Sequence, residues 1–69
     1  MLKPIKTFYS EINPTYSVFE EAKQIAIEED CIVEVRWLPN IKTGWYHEYV
    51  FANSDITKLA DKVPQVYGW

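Results

Sequence analysis

The sequence predicts a small α+β domain with the element order β-α-β-β-α. Three observations carry this. Residues 17–30 repeat their apolar positions at helical spacing, residues 31–38 and 45–52 alternate every second residue, and residues 53–63 return to helical spacing. A six-residue turn joins the two alternating runs, which makes them a hairpin. The expected architecture is a three-stranded sheet with both helices on one face, reached by a right-handed crossover, in a single domain over residues 1–69.

The first strand is read over residues 3–10, "KPIKTFYS", with Pro4 at a position that an edge or a strand's first residue tolerates. "EINPT" then breaks the chain, because Asn13 before Pro14 is pushed away from helical geometry. In "SVFEEAKQIAIEED", Ser17 and Glu20 have the spacing of a capping box, and Glu20 and Glu21 suit a first turn. The helix over 17–30 would bury the stripe Val18, Phe19, Ala22, Ile25 and Ala26.

"CIVEVRWL" (31–38) sets Cys31, Val33, Val35 and Trp37 on one face, and Ile32, Glu34, Arg36 and Leu38 on the other. "PNIKTG" is the turn, with Gly44 free to take positive φ. "WYHEYVFA" (45–52) alternates Trp45, His47, Tyr49 and Phe51 against Tyr46, Glu48, Val50 and Ala52. Two hairpin registers fit. The expected one pairs Val35 with Tyr49, Val33 with Phe51 and Arg36 with Glu48, which keeps one face apolar and makes a cross-strand ion pair on the other. The competing one pairs Val35 with Glu48 and brings a charge to the apolar face. Because 45–52 is apolar on both faces, it is expected at the centre of the sheet, with the first strand on its free side. "NSDITKLADKV" (53–63) reads as the second helix, capped by Asn53 or Ser54 with Asp55 in its first turn. It would bury Ile56, Leu59, Ala60 and Val63, and Pro64 ends it.

Composition limits function. A chain of 69 residues buries only ~60% of its unfolded surface. Its single cysteine forms no internal disulfide, so three Trp, five Tyr and three Phe must supply core area. The start of the sequence has no signal-peptide pattern and no run approaches the ~18 apolar residues of a spanning helix, so a cytoplasmic protein without membrane contact is expected. Ten acids against seven bases give a net charge of −3, which disfavours nucleic acid as a partner and permits a basic protein surface.

No constellation points to catalysis, a metal or a cofactor. Cys31 and His47 lie too far apart along the predicted hairpin to act as a dyad. Arg36 between Glu34 and Glu48 would keep both carboxylates ionised and prevent a division into acid and base. A chain this short also offers little depth for a substrate cleft of ~300 Å³.

The features left over suit binding. Arg36, Tyr46 and Glu48 would form the polar face of the open sheet. Glu28, Glu29 and Asp30 place three acids at a helix C-terminus, where the macrodipole disfavours them by ~0.3–1 kcal/mol each when exposed. Trp69 closes the sequence with a ring of the kind enriched at interface hot spots. The expectation is a non-enzymatic protein-binding module that contacts a basic partner through these seven residues. Small size and acidity suggest by type a viral stoichiometric inhibitor of a nucleic-acid enzyme or defence complex, as phages use. The alternatives are a single-strand nucleic-acid binder using sheet aromatics, and a structural subunit or homodimer.

Overall fold

A computed structural model describes residues 3–10 and 13–63. The order is β1 (Ile5–Ser10), α1 (Tyr16–Glu29), β2 (Ile32–Trp37), β3 (Tyr46–Val50) and α2 (Ile56–Lys62), as the sequence predicts. Val33, Val35, Trp37 and Val50 from the sheet pack with Phe19, Ala22, Ala26, Ile56 and Leu59 from the helices in one core. Both helices therefore cover the same face of a mixed sheet. No described helix is long and apolar enough to cross a membrane.

Helix α1 buries Phe19, Ala22 and Ala26, with Val18 and Ile25 half-buried beside them, which is the predicted stripe. Its start differs from the expectation. Thr15 is the N-cap, and its hydroxyl pairs with Ser17 Oγ at 3.0 Å without capping the backbone. Ser17 thus lies within the helix, and Glu20 and Glu21 fall in its second turn. In α2 the cap is Asp55 itself, whose carboxylate accepts from the Lys58 N–H at 3.3 Å. Lys23 Nζ donates to the Ser54 carbonyl at 2.9 Å and ties α1 to the turn before α2.

The sheet differs in two ways. Its order is β1-β2-β3, so β2 and not β3 is central, and β1 runs parallel to β2 with Phe8 beside Val35. The hairpin takes the competing register: Val33 pairs with Val50, Val35 with Glu48, Arg36 with His47 and Trp37 with Tyr46. A one-residue slip turns every side chain of β3 over. Tyr46 and Val50 consequently face the helices, while Trp45, Tyr49 and Phe51 are exposed at 60%, 37% and 46%. Glu48 is accommodated on the helix side because its carboxylate reaches Lys62 of α2 at 3.3 Å. Gly44 takes positive φ, 74°, as its place before β3 suggests.

Asp30 ends α1 in the left-handed region, with φ 50° and ψ 55°. Glycine is the residue that takes this conformation without a Cβ penalty. Asp30→Gly is expected to raise stability by about 1 kcal/mol, a shift of several degrees in the melting midpoint of a domain this size. The Asp30 carboxylate is 3.0 Å from Lys3 Nζ but 83% exposed, so losing that pair offsets little. A lower midpoint for the glycine variant would show that the ion pair outweighs the backbone.

Candidate functional site

The uncovered face of the sheet is built from alternate residues of three strands. Ile5, Thr7 and Tyr9 of β1 lie beside Ile32, Glu34 and Arg36 of β2, and His47 and Tyr49 of β3 complete the rows. Tyr9 and Trp45 meet edge to face across β2, with ring centroids 6.0 Å apart. His47 and Tyr49 lie against each other at 5.4 Å. With Phe51 and Ile5 also exposed, this gives a broad aromatic surface on a small domain.

Glu34 sits at its centre and is buried. Its carboxylate accepts from Thr7 Oγ1 at 3.2 Å, lies 3.3 Å from Arg36 Nε, and is 3.0 Å from His47 Nδ1. The hydrogen bond with His47, then the Arg36 charge and Thr7, outweigh burial and hold the carboxyl below its ordinary value. An ionised Glu34 only accepts, so Nδ1 of His47 carries the proton between them. Arg36 is held above its ordinary value by a hydrogen bond with Tyr9 and by the Glu34 charge. The central ions are thus fixed to one another, with rings around them.

A carboxyl depressed in the folded state stabilises above its unfolded value, and the contribution disappears as pH falls through the folded value. The stability difference between the wild type and Glu34→Gln should therefore be present at neutral pH and shrink below a pH of about 4.5. Thermal melts of both proteins from neutral to acidic pH check this. A difference that stays constant on acidification would show that the Glu34 charge is not what the cluster stabilises.

The predicted site residues separate. Arg36 lies on the open face as expected, but Tyr46 and Glu48 do not. Tyr46 packs on Trp37 at 5.7 Å on the helix side, and Glu48 is held by Lys62. Both corrections follow from the register. At the end of α1, Glu29 accepts two bonds from Lys6 Nζ at 2.9 Å, Asp30 pairs with Lys3, and Glu28 accepts from Gln24 Nε2 at 3.0 Å. The acids of this end are met by Lys3, by Lys6 of β1 and by a neighbouring amide, so the end is less of an open acidic patch than its sequence suggests. Trp69 lies outside the described residues.

Sequence reasoning missed the Glu34–His47 contact and the exposure of Tyr9, Trp45, Tyr49 and Phe51. The regular alternation of rings around His47 is the available signal; it separates the two faces of β3, but which face the helices cover depends on the hairpin register.

Cys31 is buried and faces the core, whereas His47 is on the open face opposite Arg36. Five residues along the strand separate them, roughly 17 Å at ~3.3 Å per residue, so they form no dyad. A depression of about 430 Å³, larger than the chain length suggests, opens between Lys3, Cys31, Ile32, Phe51, Ala52 and Asn53. Its one charged group, Lys3, is paired with Asp30. Comparison of the chain with protein-family models, curated proteins and solved structures gives no match.

Proposed function

We propose that this chain is a non-enzymatic protein-binding module that engages its partner through the open face of its sheet. The observation that carries this reading is the exposure of Tyr9, Trp45, Tyr49 and Phe51 around the fixed Arg36–Glu34–His47 cluster. Tyr, Trp and Arg are the residue types that dominate interface energetics, and a pre-paired charge cluster loses little freedom on docking. The net charge of −3 adds long-range attraction to a basic partner, which speeds encounter more than it strengthens the complex. Stoichiometric inhibition, by occupying the partner's working surface, is the form of binding we favour for so small a chain.

The test is affinity capture from a lysate of the source cell with three proteins: wild type, Trp45→Ser/Tyr49→Ser, and Glu28→Gln/Glu29→Gln/Asp30→Asn. A partner held by the wild type and the helix-end variant, but not by the sheet variant, supports the reading. Equal capture by all three overturns it.

One observation favours the nucleic-acid alternative. Glu48 no longer flanks the aromatic face, so the charges of that face are Glu34 and Arg36, which cancel. Exposed rings on an open sheet can stack bases. Affinity for phosphates, however, comes from cations that release counterions, and Arg36, Lys3 and Lys6 are each engaged with an acid. The expected result is no retention on single-stranded DNA or RNA at physiological salt. Micromolar binding that weakens steeply with added salt would move the face to the nucleic-acid class.

A further inference from the structure

The two edges of the sheet are treated differently. Ile32 N–H donates to the Pro4 carbonyl at 2.9 Å, so Ile32, Glu34 and Arg36 turn their backbone groups to β1, and Val33, Val35 and Trp37 turn theirs to β3. By the same alternation, His47, Tyr49 and Phe51 point their N–H groups off the outer edge of β3. Two of the three are taken up by side chains: Tyr49 N–H donates to Glu48 Oε1 at 3.3 Å, and Phe51 N–H to Ser54 Oγ at 2.7 Å. That edge is blunted.

Strand β1 has no such guard among the described residues. Ile5, Thr7 and Tyr9 point their backbone groups outward, and no described strand lies on that side. A lysine is the usual protection of an exposed edge. Here Lys6 is drawn to the helix side by both oxygens of Glu29. The stretch from Ile5 to Tyr9 contains no proline, and Ile5 and Tyr9 are 59% and 62% exposed.

We infer that β1 pairs antiparallel with β1 of a second copy of this chain, Thr7 facing Thr7 across a two-fold axis. Hydrogen bonding selects this register. Centring on Lys6 leaves Tyr9 opposite Lys3, beyond the end of the partner's strand. Centring on Phe8 leaves Ile5 beyond the end of the partner's strand. Centring on Thr7 engages all three outward residues, and it sets Ile5 against the partner's Tyr9 and Lys6 against the partner's Phe8.

The two-fold axis runs perpendicular to the sheet, so the product is one six-stranded sheet with both aromatic faces on the same side. The inference concerns the edge and holds whether or not that face binds a protein. A strand pair alone buries less than the ~1,000 Å² of a stable interface, so the dimer is weak and depends on concentration.

Sedimentation equilibrium of the protein alone is the first measurement. The mass should rise from monomer toward dimer between micromolar and millimolar concentration. Thr7→Lys places two ammonium groups on the axis and should shift that rise several-fold to higher concentration. Cysteine cross-linking reads the register, because the one natural thiol, Cys31, is buried. Under mild oxidation Thr7→Cys should link to itself, Ile5→Cys alone should not, and a mixture of Ile5→Cys with Tyr9→Cys should link. A strictly monomeric mass at millimolar concentration overturns the inference. So does self-linking of Ile5→Cys as fast as that of Thr7→Cys.

Discussion

Phe19→Ala is expected to leave the chain largely unfolded at room temperature. Phe19 is fully buried on the face of α1 that packs in the same core as Val33, Val35 and Val50. Truncating a buried phenylalanine costs about 3–5 kcal/mol through lost transfer energy and the cavity left behind. At ~0.05–0.15 kcal/mol per residue, the whole domain holds only roughly 3–10 kcal/mol. One substitution therefore removes a large share of the total, and a chain with a single cysteine has no disulfide to compensate. Urea unfolding followed by circular dichroism measures this, with Tyr16→Ala as the control. Tyr16 lies on the same helix, half exposed, and its loss should cost little. A cooperative transition for Phe19→Ala within about 1 kcal/mol of wild type would mean that the core is not built around this ring.

What was legible in the sequence was whatever local periodicity decides. The stripe of α1 and the inner face of β2 follow from spacing alone, because each residue's side of its element is fixed by its neighbours in sequence. The strand order was not legible. The apolar residues on both faces of 45–52 point to β3 as the central strand, a reading that presumes a central strand is covered on both faces. Here the second face is open, so a central strand carries charges.

The hairpin register failed for a related reason. Setting Val35 opposite Glu48 looked costly because the price of a carboxylate on the apolar face depends on what lies above it. Lys62, on an element still to come in the chain, supplies the partner. Once the register is inverted, the site changes with it. Arg36 remains on the open face because it belongs to β2, whereas Tyr46 and Glu48 leave it with the rest of β3. The Glu34–His47 contact was hidden because it is diagonal across the hairpin, and it exists only in the register that sets Glu34 opposite Tyr49.

Val50 and Phe51 give the sharpest experimental reading of that register. In the observed pairing Val50 is opposite Val33 and fully buried, while Phe51 is nearly half exposed on the open side. Val50→Asp buries a carboxylate in the core and should cost more than about 4 kcal/mol, enough to unfold the chain. Phe51→Asp at an exposed position should stay within about 1 kcal/mol of wild type. The register expected from the sequence predicts the reverse, since it sets Phe51 against Val33 in the core and turns Val50 outward. Denaturant melts of the two variants therefore separate the registers without a high-resolution structure.

A stable Val50→Asp beside an unfolded Phe51→Asp would return Trp45, Tyr49 and Phe51 to the core and remove the aromatic face on which the proposed function rests. The expected outcome carries a second use. A folded Phe51→Asp has a charge set into the open face, where a docking partner would have to desolvate it. It should thus bind that partner more weakly while retaining its own stability, which separates the surface that binds from the core that folds.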